Sequence, residues 1–164
     1  MRAIVNADRN WGIGFRNGLL VHIPSDMRFF REKTTDNVVV MGRKTLESLP
    51  GGRPLSDRDN IVLSRDAGLK VKGAAVVHSV EELEGLLSDM DPDRVYVIGG
   101  AEIYRLLLPL CDTVYVTRVD YVYQADAFFP DLDRMPEWEL TEEGEEQTCF
   151  DMSFTFCTYK RVQK

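Results

Sequence analysis

Cysteine and histidine are scarce in this chain, and neither is arranged to do chemistry. The three cysteines, Cys111, Cys149 and Cys157, are odd in number and form no CxxC or Cys/His metal spacing. They read as reduced, mostly buried thiols of a cytoplasmic protein, and no metal site is expected. The two histidines, His22 and His78, have no evident partner, so no nucleophile–base–orienter set is visible. His22 reads as a surface or loop residue. No pair of carboxylates stands out for glycoside hydrolysis. No apolar run approaches the length of a membrane span, and the opening segment MRAIVNADRN lacks the apolar core of a secretory signal. Cations are outnumbered as well: 20 Lys and Arg against 27 Asp and Glu leave a formal charge of −7 and a pI near 4.9. That balance argues against general nucleic-acid binding. Much of the acid sits late, in EWELTEEGEEQ from Glu137 to Gln147, which reads as a solvated hairpin region.

What the chain does have suits one well-packed domain. It is 164 residues long, with 44% hydrophobic and 29% charged residues. No internal repeat, linker or low-complexity segment divides it, so residues 1–164 are read as a single domain. One stretch stands out, NGLLVHIPSDMRFF from Asn17 to Phe30. Pro24–Ser25 marks a helix start, and on that helix Asp26 shares a face with Met27, Phe30 and Thr34, while Arg28, Arg31 and Glu32 point elsewhere. A carboxylate in an apolar stripe is costly unless something pairs with it, which marks a functional anchor. The competing reading is an acid in the first turn that merely complements the helix dipole.

In order, Arg2–Ala7 reads as a first strand, followed by a loop from Asp8 to Gly18. Its GIG at Gly12–Gly14 lacks the third glycine of a dinucleotide motif and opens no helix at once. Asn37–Met41 (NVVVM) is a continuous apolar run, as expected of a strand buried on both faces. It ends in Gly42, Arg43, Lys44 and Thr45, with a short helix over Thr45–Leu49. A strand, a glycine and basic residues at a helix start make an anion site, or else a solvent-facing turn. Leu49–Asp59 reads as a loop, and the strand Asn60–Leu63 then delivers Ser64 and Arg65 at its carboxyl end. Ligands of open α/β sheets gather at such ends, although Arg65 is equally readable as an exposed cation. Ala74–Val77 is a short strand, and Ser79 with Glu82 forms a capping box for the helix SVEELEGLLSDM. Strand Arg94–Ile98 leads into Gly99–Gly100 and the helix AEIYRLLLPL, which places Tyr104 and Leu108 on one face. Thr113–Val119 alternates as a strand with Thr117 midway. Trp138–Thr141 and Phe154–Arg161 suit a closing antiparallel pair. The reading is an α/β enzyme with a single acidic anchor, in which a cofactor does the hard chemistry.

Taken together, GIG, IPSD-xx-FF, VVMGRKT, RPLxxRxNIVLS, VIGGAEIY, YVTRVD and FFPD follow one another across almost the whole chain. This ordered set closely resembles the dihydrofolate reductases. The resemblance implies a mostly parallel eight-stranded sheet with flanking helices and an antiparallel C-terminal strand. It implies NADPH and dihydrofolate in adjoining clefts, hydride transfer to give tetrahydrofolate, and antifolate inhibitors as further ligands. Asp26 takes the role of the acid that pairs with the pterin 2-amino group and N3–H and supports protonation at N5, with Thr117 bonded to it. Ile4, Val5 and Ile98 line the pterin pocket, Met27, Phe30 and Leu49 contact the pterin and aminobenzoyl ring, and Arg58 clamps the glutamate α-carboxylate. Asn6 and Ile13 flank the nicotinamide, and Gly42, Arg43, Lys44 and Thr45 form the phosphate turn. Ser64, Arg65 and Lys44 surround the 2′-phosphate. Gly99, Gly100, Ala101, Glu102, Ile103 and Tyr104 carry the diphosphate and ribose, with a cis Gly–Gly bond.

Two positions depart from the family pattern. Leu20–Val21 stands where the family has Pro-Trp, so no indole is available to hold a water beside the pterin. Asn6 stands where an alanine is usual, and its amide must find partners or solvent. These changes keep two alternatives in view: a reductase of another pterin or of a riboflavin-pathway pyrimidine, and a non-catalytic nucleotide-binding module. A monomer is expected.

Overall fold

The computed structural model describes residues 1–162. The chain runs β1 (Arg2–Ala7), β2 (Gly12–Phe15), β3 (Gly18–Leu19), α1 (Pro24–Thr34), β4 (Val38–Gly42), α2 (Arg43–Ser48) and β5 (Asp59–Leu63). It continues through β6 (Ala74–Val77), α3 (Val80–Leu87), β7 (Val95–Gly99), α4 (Ala101–Leu107), β8 (Thr113–Val119) and β9 (Ala127–Phe128). The last strands are β10 (Trp138–Glu143), β11 (Gln147–Cys149) and β12 (Met152–Arg161). Eight strands cross the main sheet in the order β10-β12-β8-β1-β7-β4-β5-β6, and β11 pairs with β12 off that path. The six from β8 to β6 are parallel, whereas β12 runs antiparallel to β8 and β10 antiparallel to β12. The mixed sheet and its closing antiparallel strands are those implied by the resemblance.

Burial explains the strand positions. All five residues of β4 are buried, so both its faces are covered and the run is apolar throughout. Alternate residues feed two cores. Val38, Val40, Ile61, Val95 and Val97 join Leu107 and Tyr104 of α4 in the larger one. Val39, Met41 and Val62 meet Leu46 of α2, with Leu49 and Ile98 packed alongside. The chain leaves β1 toward β4 and leaves β7 toward β8, which lie on opposite sides of the β1–β7 pair. Right-handed crossovers in opposite directions put their helices on opposite faces, so α1 covers one face and α4 the other. Phe29 of α1 stacks on Phe156 of β12 with ring centroids 4.7 Å apart, which docks α1 over β8 and β12.

Several boundaries shift and one region differs. The helix after β4 starts at Arg43 rather than Thr45, and the helix capped by Ser79 ends at Leu87 rather than running on to Met90. Ser79 caps the Glu82 amide, while the Glu82 carboxylate accepts from the His78 amide at 2.8 Å. The loop over Asp8–Gly18 is not irregular: β2 pairs with β3 and β9 in a small separate sheet. Buried Asp8 anchors it by accepting from the amides of Asn10, Gly12 and Tyr123 at 2.8–2.9 Å. A Cβ at Gly12 would meet the Asp8 oxygens at 3.0 Å and Ala125 Cβ at 2.9 Å, so the backbone passes there only as glycine. Pairing with a distant two-residue strand leaves no local periodicity, which is why this sheet was invisible in the sequence.

Leu107 has no exposed surface in the larger core. Leu107→Ala is expected to lower the unfolding free energy by about 2–5 kcal/mol, seen as a lower urea midpoint at unchanged m. Burial also pushes the Cys111 thiol from its ordinary 9.0 up to about 12. Its folded value is the higher one, so its contribution to stability is intact below pH 9.0 and is lost as pH rises toward about 12. The drop in urea midpoint from neutral to alkaline pH should be smaller in Cys111→Ala than in the unaltered chain.

Candidate active site

The site forms where α1 crosses β1 and β8. Pro24 opens α1 with its fixed φ, and Ile23, fully buried, roots the entry with Val119 and Phe154. Asp26 then falls in the first turn facing the sheet. Asn6 of β1 and Thr117 of β8 are direct register partners on neighbouring strands. Thr117 Oγ1 donates to Asp26 Oδ1 at 2.5 Å, and Asn6 Nδ2 donates to Asp26 Oδ2 at 2.9 Å. Each carboxylate oxygen therefore has its own donor, and both donors are neutral. Asp26 lies in the first turn of α1, where the helix-dipole reading put it, and also faces the sheet.

The apolar face expected around Asp26 is only partly buried. Thr34 is fully buried, Phe30 is intermediate and Met27 is 51% exposed. Met27 and Phe30 look outward from the Asp26 face, while Leu49 and Ile98 pack at the margin of the core around Met41. Ile4 is buried on the strand position that pairs with Tyr115, the residue against which Phe29 packs edge-on. Val5 lies one residue on and joins the core on the opposite face, so it can serve this cleft only through its backbone. The Ile4 carbonyl accepts from the Tyr104 hydroxyl at 2.7 Å. Burial pushes that hydroxyl well above the usual tyrosine range, and the charge of Asp26 adds to the effect.

Arg58 lies at the far end, its guanidinium 5.8 Å from the centroid of the Phe30 ring. Its Nε is buried without a hydrogen-bond partner. Burial, then the neighbouring charge of Arg31, lowers the Arg58 pKa from its ordinary value. Arg31 was read from the sequence as pointing away from the Asp26 face. Its charge is nonetheless close enough to Arg58 to lower that guanidinium's pKa. A contact between a helix and a distant loop has no signature in helical periodicity.

The carboxyl ends of β4, β5, β6 and β7 form a second wall. Gly42 and Gly100 precede α2 and α4, and neither helix has a side-chain cap, so their first amides remain available. The two turns interlock. A Cβ on Gly42 would lie 2.9 Å from Ile103 Cγ1, and one on Gly100 would lie 3.5 Å from Thr45 Oγ1. The Gly99–Gly100 peptide is cis, as the resemblance implied. Arg43 pairs with Glu47 at 3.0 Å and reaches Asp66 at 3.7 Å. Lys44 and Arg65 are exposed and, among the described residues, make no ion pair. Ser64 stands at the end of β5, and His78, for which the sequence shows no partner, stands beside it. Leu63 and Val77 are register partners, and His78 Nδ1 lies 2.9 Å from the Ser64 carbonyl. Ala101 and Glu102 open α4, and Ile13 is buried on β2.

Among the described residues, no group of His, Cys, Asp or Glu is placed to hold a metal ion, and no helix is long and apolar enough to cross a membrane. A separate surface groove of about 510 Å³ between Arg9, Arg118, Asp133 and Glu143 lies off the Asp26 face. Both of its cations are already paired, Arg118 with Asp133 at 3.3 Å, and Arg9 with Asp120.

Comparison with known proteins agrees with this geometry. The family model described as dihydrofolate reductase matches residues 1–161. The dihydrofolate reductase of Bacillus subtilis is 35% identical over 161 residues, covering 96% of this chain and 93% of that protein. That of Neisseria gonorrhoeae is 39% identical over 151 residues, covering 92% and 91%. The solved dihydrofolate reductase of Enterococcus faecalis, complexed with NADP(H) and RAB-propyl, superposes with a TM-score of 0.87. It is 34% identical and the match covers 99% of this chain and 96% of that one. With the motifs, the sheet order and these relatives matching along nearly the whole chain, this chain belongs to the dihydrofolate reductase family.

Proposed function

We propose that the protein reduces 7,8-dihydrofolate to 5,6,7,8-tetrahydrofolate with NADPH, and that Asp26 anchors the pterin. The observation that carries this reading is the Asp26 carboxylate, held by two neutral donors, Thr117 and Asn6. An ionised carboxylate facing two parallel N–H donors forms a strong, oriented pair. That fits the 2-amino group and N3–H of a pterin, and places Asp26 where it can support proton delivery to N5.

The chain's residues divide the work. Ile4, Ile98 and the backbone of Val5 bound the pterin, with Met27, Phe30 and Leu49 against its ring and the aminobenzoyl group. Arg58, with an unpartnered Nε and Arg31 close by, suits the carboxylates of a glutamate tail. A substrate without such a tail leaves this pair of cations with nothing to bind, which disfavours a riboflavin-pathway pyrimidine. The intact Asp26 pair disfavours a non-catalytic module.

NADPH fits the second wall: the glycines at Gly42, Gly99 and Gly100 keep side chains out of the turns that would hold its phosphates. Bound there, NADPH supplies the hydride. Thr45, Ala101, Glu102, Ile103 and Tyr104 would hold the diphosphate and ribose, and Ile13 and the backbone of Asn6 would flank the nicotinamide. Ser64, Arg65, Lys44 and Arg43 would meet the 2′-phosphate and favour NADPH over NADH. The same cleft accepts antifolate inhibitors that present an amidine edge to Asp26. We further infer a cytoplasmic monomer that binds no nucleic acid, in keeping with its charge of −7.

The direct test is absorbance loss of NADPH on addition of dihydrofolate; pure, folded protein that oxidises no NADPH in its presence refutes the function. Asp26→Asn should lower turnover by about 10²–10⁴-fold at neutral pH. The deficit should narrow in acid, where substrate arrives already protonated, and full activity at neutral pH rules out the role assigned to Asp26. Arg58→Lys should raise KM for dihydrofolate about tenfold or more, since a bidentate charged pair is lost. KM for a tail-less pterin should not change, and an equal rise for both substrates overturns the tail assignment.

A further inference from the structure

The resemblance places Asn6 beside the nicotinamide, but its side-chain amide reaches the acid instead. We propose that Asn6 is a positioning residue for Asp26, working as a pair with Thr117 to set the carboxylate's orientation and the number of donors it can still accept. The proposal rests on the reading of Asp26 as the pterin anchor.

Three observations carry it. Asn6 and Thr117 are register partners on adjacent parallel strands, so both side chains rise from the same face of the sheet. They meet the two different oxygens of one carboxylate, Nδ2 at 2.9 Å from Oδ2 and Oγ1 at 2.5 Å from Oδ1. The direction of the amide follows from chemistry: the opposite flip would set its carbonyl oxygen against the carboxylate, and like dipoles repel. Finally, none of the ion pairs among the described residues includes Asp26.

The donor count closes on one kind of ligand. An ionised carboxylate offers about four lone-pair sites, two on each oxygen. Thr117 and Asn6 fill one site on each. One remains on each oxygen, side by side, which is what two parallel N–H groups on one planar edge require. Because amide and hydroxyl are neutral, the carboxylate is oriented without losing its charge, and the charge remains for the ligand. An arginine or lysine at position 6 would orient the acid and cancel that charge. A methyl side chain would leave Oδ2 with no protein donor and the carboxylate free to rotate about Thr117. The amide also supplies a fixed N–H next to the acid in a chain whose nearby Val21 has none to give; Val21 packs instead beside the Ile23 cluster.

The experiment has a ligand-free arm and a kinetic arm, both on the full chain. In the free protein, the Asn6 side-chain amide resonances in a ¹H–¹⁵N spectrum should move when Asp26 is replaced by alanine. If they stay put, the contact is refuted whatever the enzyme does. In turnover with dihydrofolate and NADPH, Asn6→Ala should lower kcat about tenfold, the loss of one hydrogen bond to a charged group. Its KM for NADPH should change by less than about twofold on the same argument, since no cofactor contact is removed. Asn6→Asp should lose about a hundredfold above neutral pH and recover as pH falls, because two adjacent carboxylates resist being ionised together. Thermal melts of both variants check that they fold. An unchanged kcat with a several-fold higher KM for NADPH in Asn6→Ala assigns Asn6 to the nicotinamide and overturns the proposal. A loss in Asn6→Asp that does not depend on pH reduces Asn6 to a structural role and does the same. Absence of dihydrofolate reduction in the unaltered chain refutes the enzymatic reading, and the amide resonances still decide the contact.

Discussion

A carboxylate drawn partly out of water must keep its hydrogen bonds, and that requirement at Asp26 governs how the rest of this molecule is put together. Its two protein donors sit on different strands, so β1 and β8 must be neighbours in register before the acid can be satisfied. The acid itself comes from a helix, so α1 must cross the sheet at one height. Pro24 sets where the helix begins, Ile23 fixes its root, and Phe29 on Phe156 fixes its angle. Losing one donor from a buried charged group costs about 1–3 kcal/mol or more, which is comparable to removing a core side chain. The catalytic geometry and the packing of α1 are thus the same constraint seen from two sides.

The second wall follows from topology rather than from any one interaction. Chain connections leave β1 and β7 in opposite directions, so no crossover helix roofs the carboxyl edge between them. The turns that end β4 and β7 lie there side by side and lock together through Ile103 against Gly42 and Thr45 against Gly100. Glycine is demanded at Gly42 by the nearness of Ile103, and at Gly99 by a φ of 124°. The substrate face depends on a hydrogen-bonded acid. The cofactor face depends on the lack of side chains. The two meet along β1 and β7, which is how one short strand pair serves both ligands.

Much of this was legible in the sequence. Runs at Asn37–Met41 and Arg94–Ile98 marked buried strands, and Pro24–Ser25 marked the start of α1, because these signals are local in period or in punctuation. The order of the motifs identified the family, and with it the partnership of Asp26 and Thr117. What remained hidden was non-local. The small sheet of β2, β3 and β9 is made by segments more than a hundred residues apart, held by an Asp8 whose partners are backbone amides. The charge of Arg31 acts on Arg58, and His78 meets Ser64, through placements that no helical or strand repeat encodes. Asn6 was the least legible of all: its position implied a place beside the cofactor, and only the register of β1 with β8 showed it facing the acid.

The exposure of Met27 and Phe30 shows why a cleft is hard to tell from a core in sequence. Both obey the same rule, that apolar residues recur on the face turned toward other apolar groups. In a core the partner is protein, so Leu107 and Val97 are wholly buried. In a cleft the partner is a ligand, so the same pattern leaves Met27 half in solvent at 51%. Apolar residues left exposed in this way carry a standing cost in water, which binding relieves. A polar group flanked by such a stripe gives the difference away, because a core tolerates a carboxylate only when its lone pairs are filled. Thr117 and Asn6 fill half of those on Asp26 and leave the other half open. An acid with spare acceptors beside apolar residues with spare surface describes the edge of a flat, two-donor ring more closely than it describes any packing within the protein.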